Sequence, residues 1–472
     1  MSSLQRTLNG RTAMAIVIGG VIGSGIFMKP ALMLQQLQSP YLLLSVWVVA
    51  GIVTLFGALS NAEVASLFPE TGGQYVFFQK MYGNAFAFLY GWAAFAVFNT
   101  AGNASIAYVC AEYANYFVEL PRFATGRETS FRLYIPFIGY VFPLANAGVK
   151  VLTIALIWLL TFVNYRSVRT GSALQRILTA LKAVAIILLI GGILSNDKGS
   201  FSHLGEVAGD TLSLSWIGAY VAALSGAFWA YDGWNNITFI AGEIRNPQKN
   251  IPRSLLVGLS ACIIIYVLVN VAYLYALAPA TLAVSKFVAA DAATVIWGAI
   301  GGSLIALMVI LSTFGTVNAN VFSTSRVTFA MGQENKLFAW AGKVHPDHQT
   351  PGNALVLNAV WTSLMIISGS FDMLTDMLIF VSWFFYGMSA LGLFVLRKKY
   401  AGMTRAYKVP GYPVIPAVFV AFTFIFLVIT ICQDIIHYQQ GKIPIINSLL
   451  GVLITLVGLP IYWFTRKKKS SL

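Results

Sequence analysis

Two short glycine-bearing segments interrupt apolar stretches of this sequence and carry residue types that could bind a small ligand. The first is GGVIGSG at residues 19–25, and the second is WAYDGW at residues 229–234. Glycine weakens a helix by about 1 kcal/mol per position, and inside a membrane an unwound backbone is tolerated only where it lines a cavity. The two segments therefore predict a cavity between two broken helices, although close packing by small residues is an alternative explanation for the first.

The chemistry that these segments offer suits an amino acid zwitterion. Half-helix ends present free N–H groups and a partial positive charge to a carboxylate, and unpaired carbonyl groups can receive an ammonium. At the first break, we expect the N–H groups of Ser24 and Gly25 and the Ser24 hydroxyl to bind the carboxylate. The carbonyl groups of Val21, Trp229 and Asp232 are the candidates for the ammonium.

Two charged side chains are conspicuous because a charge at membrane depth is expensive and usually functional. Lys182 lies within the apolar run 177–190, where snorkelling to the membrane surface is the alternative explanation. Asp232 lies in the second break, where it could bind a cationic substrate side chain or cap the following half-helix. For Asp232 we favour the structural role.

The composition indicates that membrane helices position these residues. Of the 472 residues, 58% are hydrophobic and only 10% are charged, whereas soluble proteins have about 25% charged residues. A soluble enzyme, a nucleic-acid-binding protein and a disulfide-stabilised secreted domain are therefore excluded. The three cysteines lie within apolar stretches and are predicted to be buried thiols: Cys110, Cys262 and Cys432.

Apolar segments long enough to span a bilayer, about 20 residues each, recur along the chain without a long polar linker. We predict an all-α integral membrane protein with twelve transmembrane helices, at residues 12–38, 40–67, 84–118, 149–165, 172–196, 213–242, 252–278, 293–324, 352–370, 373–396, 412–433 and 446–465. The breaks fall in the first and sixth spans, which is typical of an inverted five-plus-five repeat with the substrate site between the broken helices. The single domain, residues 1–472, then divides into a first repeat (12–196), a second repeat (213–396) and two further helices (412–465).

The basic excess predicts how this bundle is oriented. The formal net charge is +14, from 30 Lys and Arg against 16 Asp and Glu, and most basic residues fall on the alternate segments that include both termini. The positive-inside rule therefore predicts cytoplasmic N- and C-termini in a multi-pass protein of the cell membrane, and the charge implies no nucleic acid. On the same side, Glu63 is predicted to be a structural carboxylate, with pairing to the basic segment 243–253 as an alternative.

Four segments of the sequence resemble one superfamily of membrane transporters. They are GGVIGSGIFMKP (19–30), GALSNAEVASLFPETGGQYVF (57–77), AFWAYDGWNNITFIAGEIRNPQKNIPRS (227–254) and FGTVNANVFSTSR (314–326). With their order, the number of spans and the loop lengths, they are similar to the amino acid-polyamine-organocation superfamily. Within it they most resemble the L-type amino acid transporters and their bacterial homologues, from about residue 10 to the basic C-terminus.

The resemblance implies a LeuT-type fold of ten core and two peripheral helices that works by alternating access. It implies a sodium-independent exchanger of small or medium neutral L-amino acids, not an enzyme, with no cofactor or metal. The substrate-binding set carried over from the family is Val21, Gly23, Ser24, Gly25, Trp229, Ala230 and Asp232. Animal members form a disulfide with a heavy subunit between the third and fourth spans, but residues 119–148 contain no cysteine, so we expect no such partner.

The same resemblance suggests roles in gating, coupling and specificity. Trp229 would be the aromatic lid of the site, and the ammonium of Lys182 would replace the sodium ion that related symporters hold between the first and eighth spans. The eighth span offers hydroxyl partners for Lys182, namely Ser312, Thr313 and Thr316. The positions expected to select the substrate side chain are Asn99, Asn236, Asn318, Phe380 and Trp383, although aromatic residues at helical spacing are more often packing residues.

Other functions fit the sequence less well. Within transport, the alternatives are a proton-coupled amino acid symporter that uses Lys182 and an exchanger that also accepts cationic amino acids. A membrane-embedded enzyme is disfavoured because the four histidines lie in loops or at span ends and no H-E-x-x-H spacing occurs. A channel is disfavoured because no segment resembles a selectivity filter and no ring of charges crosses the spans.

Overall fold

The protein is a bundle of α-helices with one small antiparallel hairpin. The computed structural model describes residues 6, 8–70, 72–166, 182, 184–206, 216–334, 339–348 and 350–465. The helices of this part are α1 (Gly10–Val21), α2 (Gly25–Leu37), α3 (Pro40–Leu67), α4 (Gln74–Tyr82), α5 (Asn84–Ala93), α6 (Asn99–Asn115), α7 (Thr125–Ser130), α8 (Ala147–Arg166), α9 (Val184–Leu194), α10 (Trp216–Tyr231), α11 (Asn236–Phe239), α12 (Pro247–Ala276), α13 (Pro279–Val284), α14 (Val288–Glu334), α15 (Gly352–Ser368), α16 (Phe371–Lys399), α17 (Val414–Gln439), α18 (Asn447–Leu456) and α19 (Gly458–Thr465). A π-helical turn, Ala94–Phe98, joins α5 to α6, and the hairpin pairs β1 (Leu133–Ile135) with β2 (Gly139–Val141).

Several of these helices are long and apolar enough to cross a membrane. Among the described residues, eight helical segments are long and apolar enough to span a bilayer, and the count is nine if the bent pair of α1 and α2 forms one span. The predicted spans 172–196, 213–242 and 352–370 contain the shorter helices α9, α10 and α15, and parts of the first two lie outside the described residues. The protein is therefore a multi-pass membrane protein, and the number of twelve spans stays a prediction.

The first glycine-bearing segment separates α1 from α2. Residues 22–24 are not helical, and the two helices meet there at an angle of 42°. Ile22 ends α1 with an extended backbone conformation, and α2 begins at Gly25. The chain thus enters and leaves this break as two helices that point in different directions.

The second glycine-bearing segment separates α10 from α11. α10 ends at Tyr231, and α11 begins at Asn236. Between them, Gly233 has a φ of 97°, which lies in the left-handed region that glycine adopts without the steric penalty of a Cβ atom. Because the chain turns here within four residues, the ends of both helices expose backbone groups next to the first break.

The two breaks lie directly against each other. A Cβ atom on Gly25 would come within 2.6 Å of the Ala230 Cα atom, and one on Gly233 would come within 2.7 Å of the Gly20 carbonyl oxygen. These separations leave no room for a side chain at either glycine. The close approach places the ends of α1, α2 and α10 around one common space.

Glu63 of α3 forms a buried charge cluster with the C-terminal end of α16 and the loop after it. Its carboxylate accepts hydrogen bonds from Arg397 Nε (3.0 Å), Arg397 Nη2 (2.7 Å) and the backbone N–H of Val409 (2.8 Å), and Arg405 Nε lies 3.3 Å away. The prediction of a structural carboxylate is confirmed. The alternative was wrong, because arginines of α16 and the following loop, and not the segment 243–253, satisfy Glu63.

Candidate functional site

A small cavity occupies the space between the two helix breaks. Its volume is about 60 Å³, and it is lined by residues of α1, α2, α6, α10, α14 and α16 and of the two breaks. The predicted site residues that line it are Val21, Gly23, Ser24, Gly25, Asn99, Trp229, Asp232 and Asn236. Among the described residues, no group of three or more His, Cys, Asp and Glu side chains could hold a metal ion.

Ser24 provides an unsatisfied polar group at the wall of the cavity. The residue is only 1% exposed, and its hydroxyl has no hydrogen-bond partner among the described residues. α2 begins at the next residue, Gly25, and the N–H groups in the first turn of a helix have no acceptor within that helix. This wall therefore offers donors and a partial positive charge to an anionic group.

Tyr266 of α12 holds the two breaks together from behind the cavity. Its hydroxyl lies 2.8 Å from the Val21 carbonyl oxygen and 2.8 Å from the Ala230 carbonyl oxygen, and the side chain is fully buried. Ala230 does not line the cavity, because its Cα and Cβ atoms pack against Gly25. A carbonyl oxygen has two lone pairs, so Val21 keeps one acceptor position for a further donor.

The carboxylate of Asp232 is bound to α16. Its Oδ1 atom accepts a hydrogen bond of 2.7 Å from the hydroxyl of Tyr386, which also lines the cavity. The Asp232 N–H donates to the Trp229 carbonyl oxygen at 3.3 Å, so this candidate acceptor for an ammonium already has one partner. Asp232 thus connects the second break to a neighbouring helix.

Lys182 lies beside the first break and joins it to α14. Its ammonium donates to the carbonyl oxygens of Gly19, at 3.4 Å, and Ile22, and to Thr316 Oγ1 at 2.9 Å. The side chain is 5% exposed and does not line the cavity, whereas Thr316 does. Of the predicted hydroxyl partners, Thr313 bonds to carbonyl groups of its own helix instead.

The structure does not bring three predicted specificity residues to the cavity. The Asn318 amide oxygen accepts a hydrogen bond of 2.8 Å from Asn164. Trp383 packs against Phe228, with the ring centres 3.6 Å apart, and Phe380 is buried outside the cavity lining. In this structure the Trp383 ring packs against α10 and α17 rather than facing the breaks.

Several polar residues that line the cavity were not predicted from the sequence. Thr316, Asn320 and Thr324 line it from α14, and their four-residue spacing places them on one face of that helix. Polar residues at this spacing in an otherwise apolar span were a detectable signal. Tyr266 and Tyr386 left no comparable signal, because their partners lie 245 and 154 residues away in sequence.

An ion pair covers one side of the cavity. Lys29 of α2 donates to Asp372 Oδ1 (2.7 Å) and to Thr375 Oγ1 (3.0 Å) of α16. The Lys29 ammonium also lies 4.7 Å from the centre of the Phe371 ring, and that ring contacts Trp229 edge to face. α2, α10 and α16 are therefore joined beyond Gly25 and Trp229, at the end of the cavity away from α11.

Broken membrane helices that enclose a small polar cavity define a transport protein of the membrane. Comparison with known proteins agrees: residues 8–459 match the amino acid permease family. The chain belongs to this family, and the resemblance to the L-type transporters and their bacterial homologues is confirmed. Members of this family are transporters, so the chain is not an enzyme.

Three relatives illustrate the similarity. The serine/threonine exchanger SteT of Bacillus subtilis is 31% identical over 100% of this chain and 99% of its own length. The mouse large neutral amino acids transporter small subunit 2 is 32% identical over 98% of this chain and 81% of its own length. The mouse b(0,+)-type amino acid transporter 1 is 29% identical over 95% of this chain and 88% of its own length.

Proposed function

We propose that this protein is a sodium-independent exchanger of small or medium neutral L-amino acids that works by alternating access in the cell membrane. The observation that carries the proposal is the pair of helix breaks that enclose one cavity, with the buried, unpartnered hydroxyl of Ser24 at its wall. A relative similar over the full length, SteT, is a serine/threonine exchanger, which supports exchange of small neutral amino acids.

The proposed binding mode uses the polarity of the two breaks. The substrate carboxylate accepts hydrogen bonds from the N–H groups of Ser24 and Gly25 and from the Ser24 hydroxyl, at the positive end of α2. The substrate ammonium donates to carbonyl oxygens of Val21, Trp229 and Asp232. Trp229 covers the bound substrate, and Asn99 and Asn236 contact its side chain.

Lys182 would make this transport independent of sodium. Its ammonium donates to two carbonyl oxygens of the first break and to the Thr316 hydroxyl oxygen, and these oxygens are the ligands that a monovalent cation would otherwise use. Because the ammonium already supplies a positive charge in this position, no sodium ion is needed there. The same contacts let a displacement of α1 pass to α14.

The proposed architecture is the LeuT-type repeat with twelve spans. The repeats are 12–196 and 213–396, the peripheral helices are 412–465, and both termini are cytoplasmic. The position of the breaks in the first and sixth spans supports this assignment, and the distribution of basic residues supports the orientation. We expect no disulfide-linked heavy subunit, because the loop between the third and fourth spans contains no cysteine.

An exchanger that also accepts cationic amino acids, and a proton-coupled symporter, are the competing functions. The hydrogen bond from Tyr386 to Asp232 favours the neutral substrates, because it leaves this carboxylate partly satisfied without a substrate cation. A symporter would need a proton gradient instead of an amino acid on the opposite side of the membrane. These requirements separate the functions experimentally.

Counterflow in proteoliposomes tests the proposal. Vesicles loaded with serine, threonine or another neutral amino acid should take up labelled substrate, whereas empty vesicles should not, with or without a sodium or proton gradient. Competition by each of the twenty standard amino acids then defines the substrate class. If no standard amino acid supports counterflow, the proposed substrate class is wrong, and uptake driven by a sodium or proton gradient into empty vesicles would refute exchange.

The Ser24 hydroxyl is tested in the same assay. Ser24→Ala should raise the half-saturation concentration of the substrate by at least about tenfold, since a hydrogen bond to a charged group contributes about 1.5–3 kcal/mol. Ser66→Ala is the matched control, because the Ser66 hydroxyl is buried but bonds to the Ala62 carbonyl oxygen of its own helix. Equal half-saturation concentrations for the two variants would remove Ser24 from the proposed site.

A further inference from the structure

Two adjacent cavities at the N-terminal ends of α1 and α12 form a surface that the transport site does not use. Their volumes are about 630 Å³ and about 600 Å³, and both are lined by Arg253. Lys249 lines the larger one, next to Tyr407, and Arg11 lines the smaller one, next to Asn250. We call this surface, defined by Arg11, Lys249 and Arg253, the basic groove.

The cations of the basic groove have no acidic partner in the described part of the chain. The ion pairs there join Lys29 to Asp372 and join Glu63 to Arg397 and Arg405. No Asp or Glu is among the residues described as lining either cavity. Three exposed positive charges therefore converge on one surface without a counter-charge from the described residues.

The groove continues into an apolar strip of α12. Leu256 and Val257, three and four residues after Arg253, are 45% and 41% exposed, and Ile264, on the same face, is 61% exposed. α12 is one of the helices long and apolar enough to cross a membrane. A molecule that fills the groove and follows this face needs an anionic head and a hydrocarbon tail.

We propose that the basic groove binds the headgroup of an anionic phospholipid, with an acyl chain along Leu256, Val257 and Ile264. The lipid phosphate contacts Lys249 and Arg253 of α12 and Arg11 of α1, so that one lipid connects two helices. Basic pockets beside membrane helices are suited to anionic headgroups because phosphate neutralises charges that otherwise repel each other. Since Tyr266 of the same α12 contacts both helix breaks, the lipid holds α1 against the helix that supports the transport site.

Native mass spectrometry of the full-length protein tests this proposal. The probes are phosphatidylglycerol and phosphatidylethanolamine with the same acyl chains, and the wild type should bind phosphatidylglycerol more tightly. The double variant Lys249→Gln, Arg253→Gln should lose most of this preference, by at least about tenfold, because each cation near a membrane surface contributes about a fivefold factor. The double variant Lys286→Gln, Lys442→Gln, which removes two exposed cations elsewhere, should keep it.

Further measurements test for a folding defect and for a site that binds free phosphate. The charge-preserving variant Lys249→Arg, Arg253→Lys should retain the preference, and the groove variant should unfold at the wild-type temperature in phosphatidylethanolamine. Glycerol phosphate, which lacks acyl chains, should not displace the bound lipid. The proposal is overturned if the groove variant keeps the phosphatidylglycerol preference of its control, or if glycerol phosphate competes as well as the lipid. Neither outcome depends on whether the protein exchanges amino acids.

Discussion

At the scale of single residues, Gly25 determines how closely the two helix breaks approach. The space that its Cβ atom would need is occupied by Ala230, and the hydroxyl of the neighbouring Ser24 has no hydrogen-bond partner among the described residues. Glycine at a break could be predicted from the sequence, because glycine weakens helices. Its contact with Ala230 could not, because 205 positions separate Gly25 from Ala230 and the contact depends on how α2 and α10 pack.

Gly25→Ala should abolish or strongly reduce exchange. A Cβ atom 2.6 Å from Ala230 Cα must push the two breaks apart, and overpacking of this kind costs about 1–3 kcal/mol, which corresponds to at least a several-fold loss of rate. Gly191→Ala is the control, because nothing lies within 4 Å of a Cβ atom there. Counterflow with both variants at equal protein content is the measurement, and equal rates would contradict the packing argument.

Lys182→Ala should lower the exchange rate by more than about tenfold. The substitution leaves the Ile22 carbonyl oxygen next to an empty buried space, and an unsatisfied buried group costs about 1–3 kcal/mol, whereas the Thr316 hydroxyl keeps its bond to the Ser312 carbonyl oxygen. Lys286→Ala, at an exposed lysine, is the control for loss of one positive charge. Exchange by Lys182→Ala at the wild-type rate would show that this ammonium does not support the transport cycle.

At the scale of helices, the sequence predicted where the elements lie better than how they end. The predicted span 12–38 corresponds to α1 and α2, and the predicted span 40–67 has the bounds of α3, which begins at Pro40 after the capping hydroxyl of Ser39. Apolar length and proline position define such ends locally. The π-helical turn within 84–115 and the bend of α14 at Gly298 depend on neighbouring helices, so the pattern of apolar residues did not predict them.

The ion pair between Lys29 of α2 and Asp372 of α16 should restrict access to the cavity from the side on which these two residues lie. Asp372→Asn removes the partner of the Lys29 ammonium, and we expect faster labelling of a cysteine introduced at Asn99 by a membrane-impermeant thiol reagent, in a background without the native cysteines. The expected increase is only a few-fold, because the Asp372 side chain is 57% exposed and exposed ion pairs are weak. Asp197→Asn, at an exposed loop residue, should leave the labelling rate unchanged, and equal rates in both variants would argue against a gate.

At the scale of the whole molecule, scarce acidic residues determine which basic residues are held in place. Composition alone predicted a membrane protein with a basic side, but it could not assign the buried carboxylate of Glu63 to Arg397 and Arg405 across more than 330 positions. Pairing at that distance depends on the packing of α3 against α16. The three cations of the basic groove form no ion pair with a described acidic residue, so they remain available to other anions.

Glu63→Gln should destabilise the protein by about 3 kcal/mol, because removing one partner of a buried charge cluster leaves the other charges uncompensated. Glu63 is fully buried, and Arg405 is only 9% exposed. Chemical denaturation in mixed micelles measures the free energy of unfolding. Glu70→Gln is the control, since Glu70 is exposed and should change stability by less than about 0.5 kcal/mol.

The hydroxyl of Tyr266 has one proton to share between two carbonyl oxygens at equal distance. When the cavity is empty, the hydroxyl can donate its proton to only one of Val21 and Ala230 at a time, so the other carbonyl oxygen lacks this hydrogen bond. In the proposed binding mode, the substrate ammonium brings three protons and donates one to the Val21 carbonyl oxygen, so that the Tyr266 hydroxyl donates to Ala230 alone. Binding of the substrate in this way moves the Tyr266 hydrogen bond from α1 to α10, and so changes which of the two broken helices α12 holds.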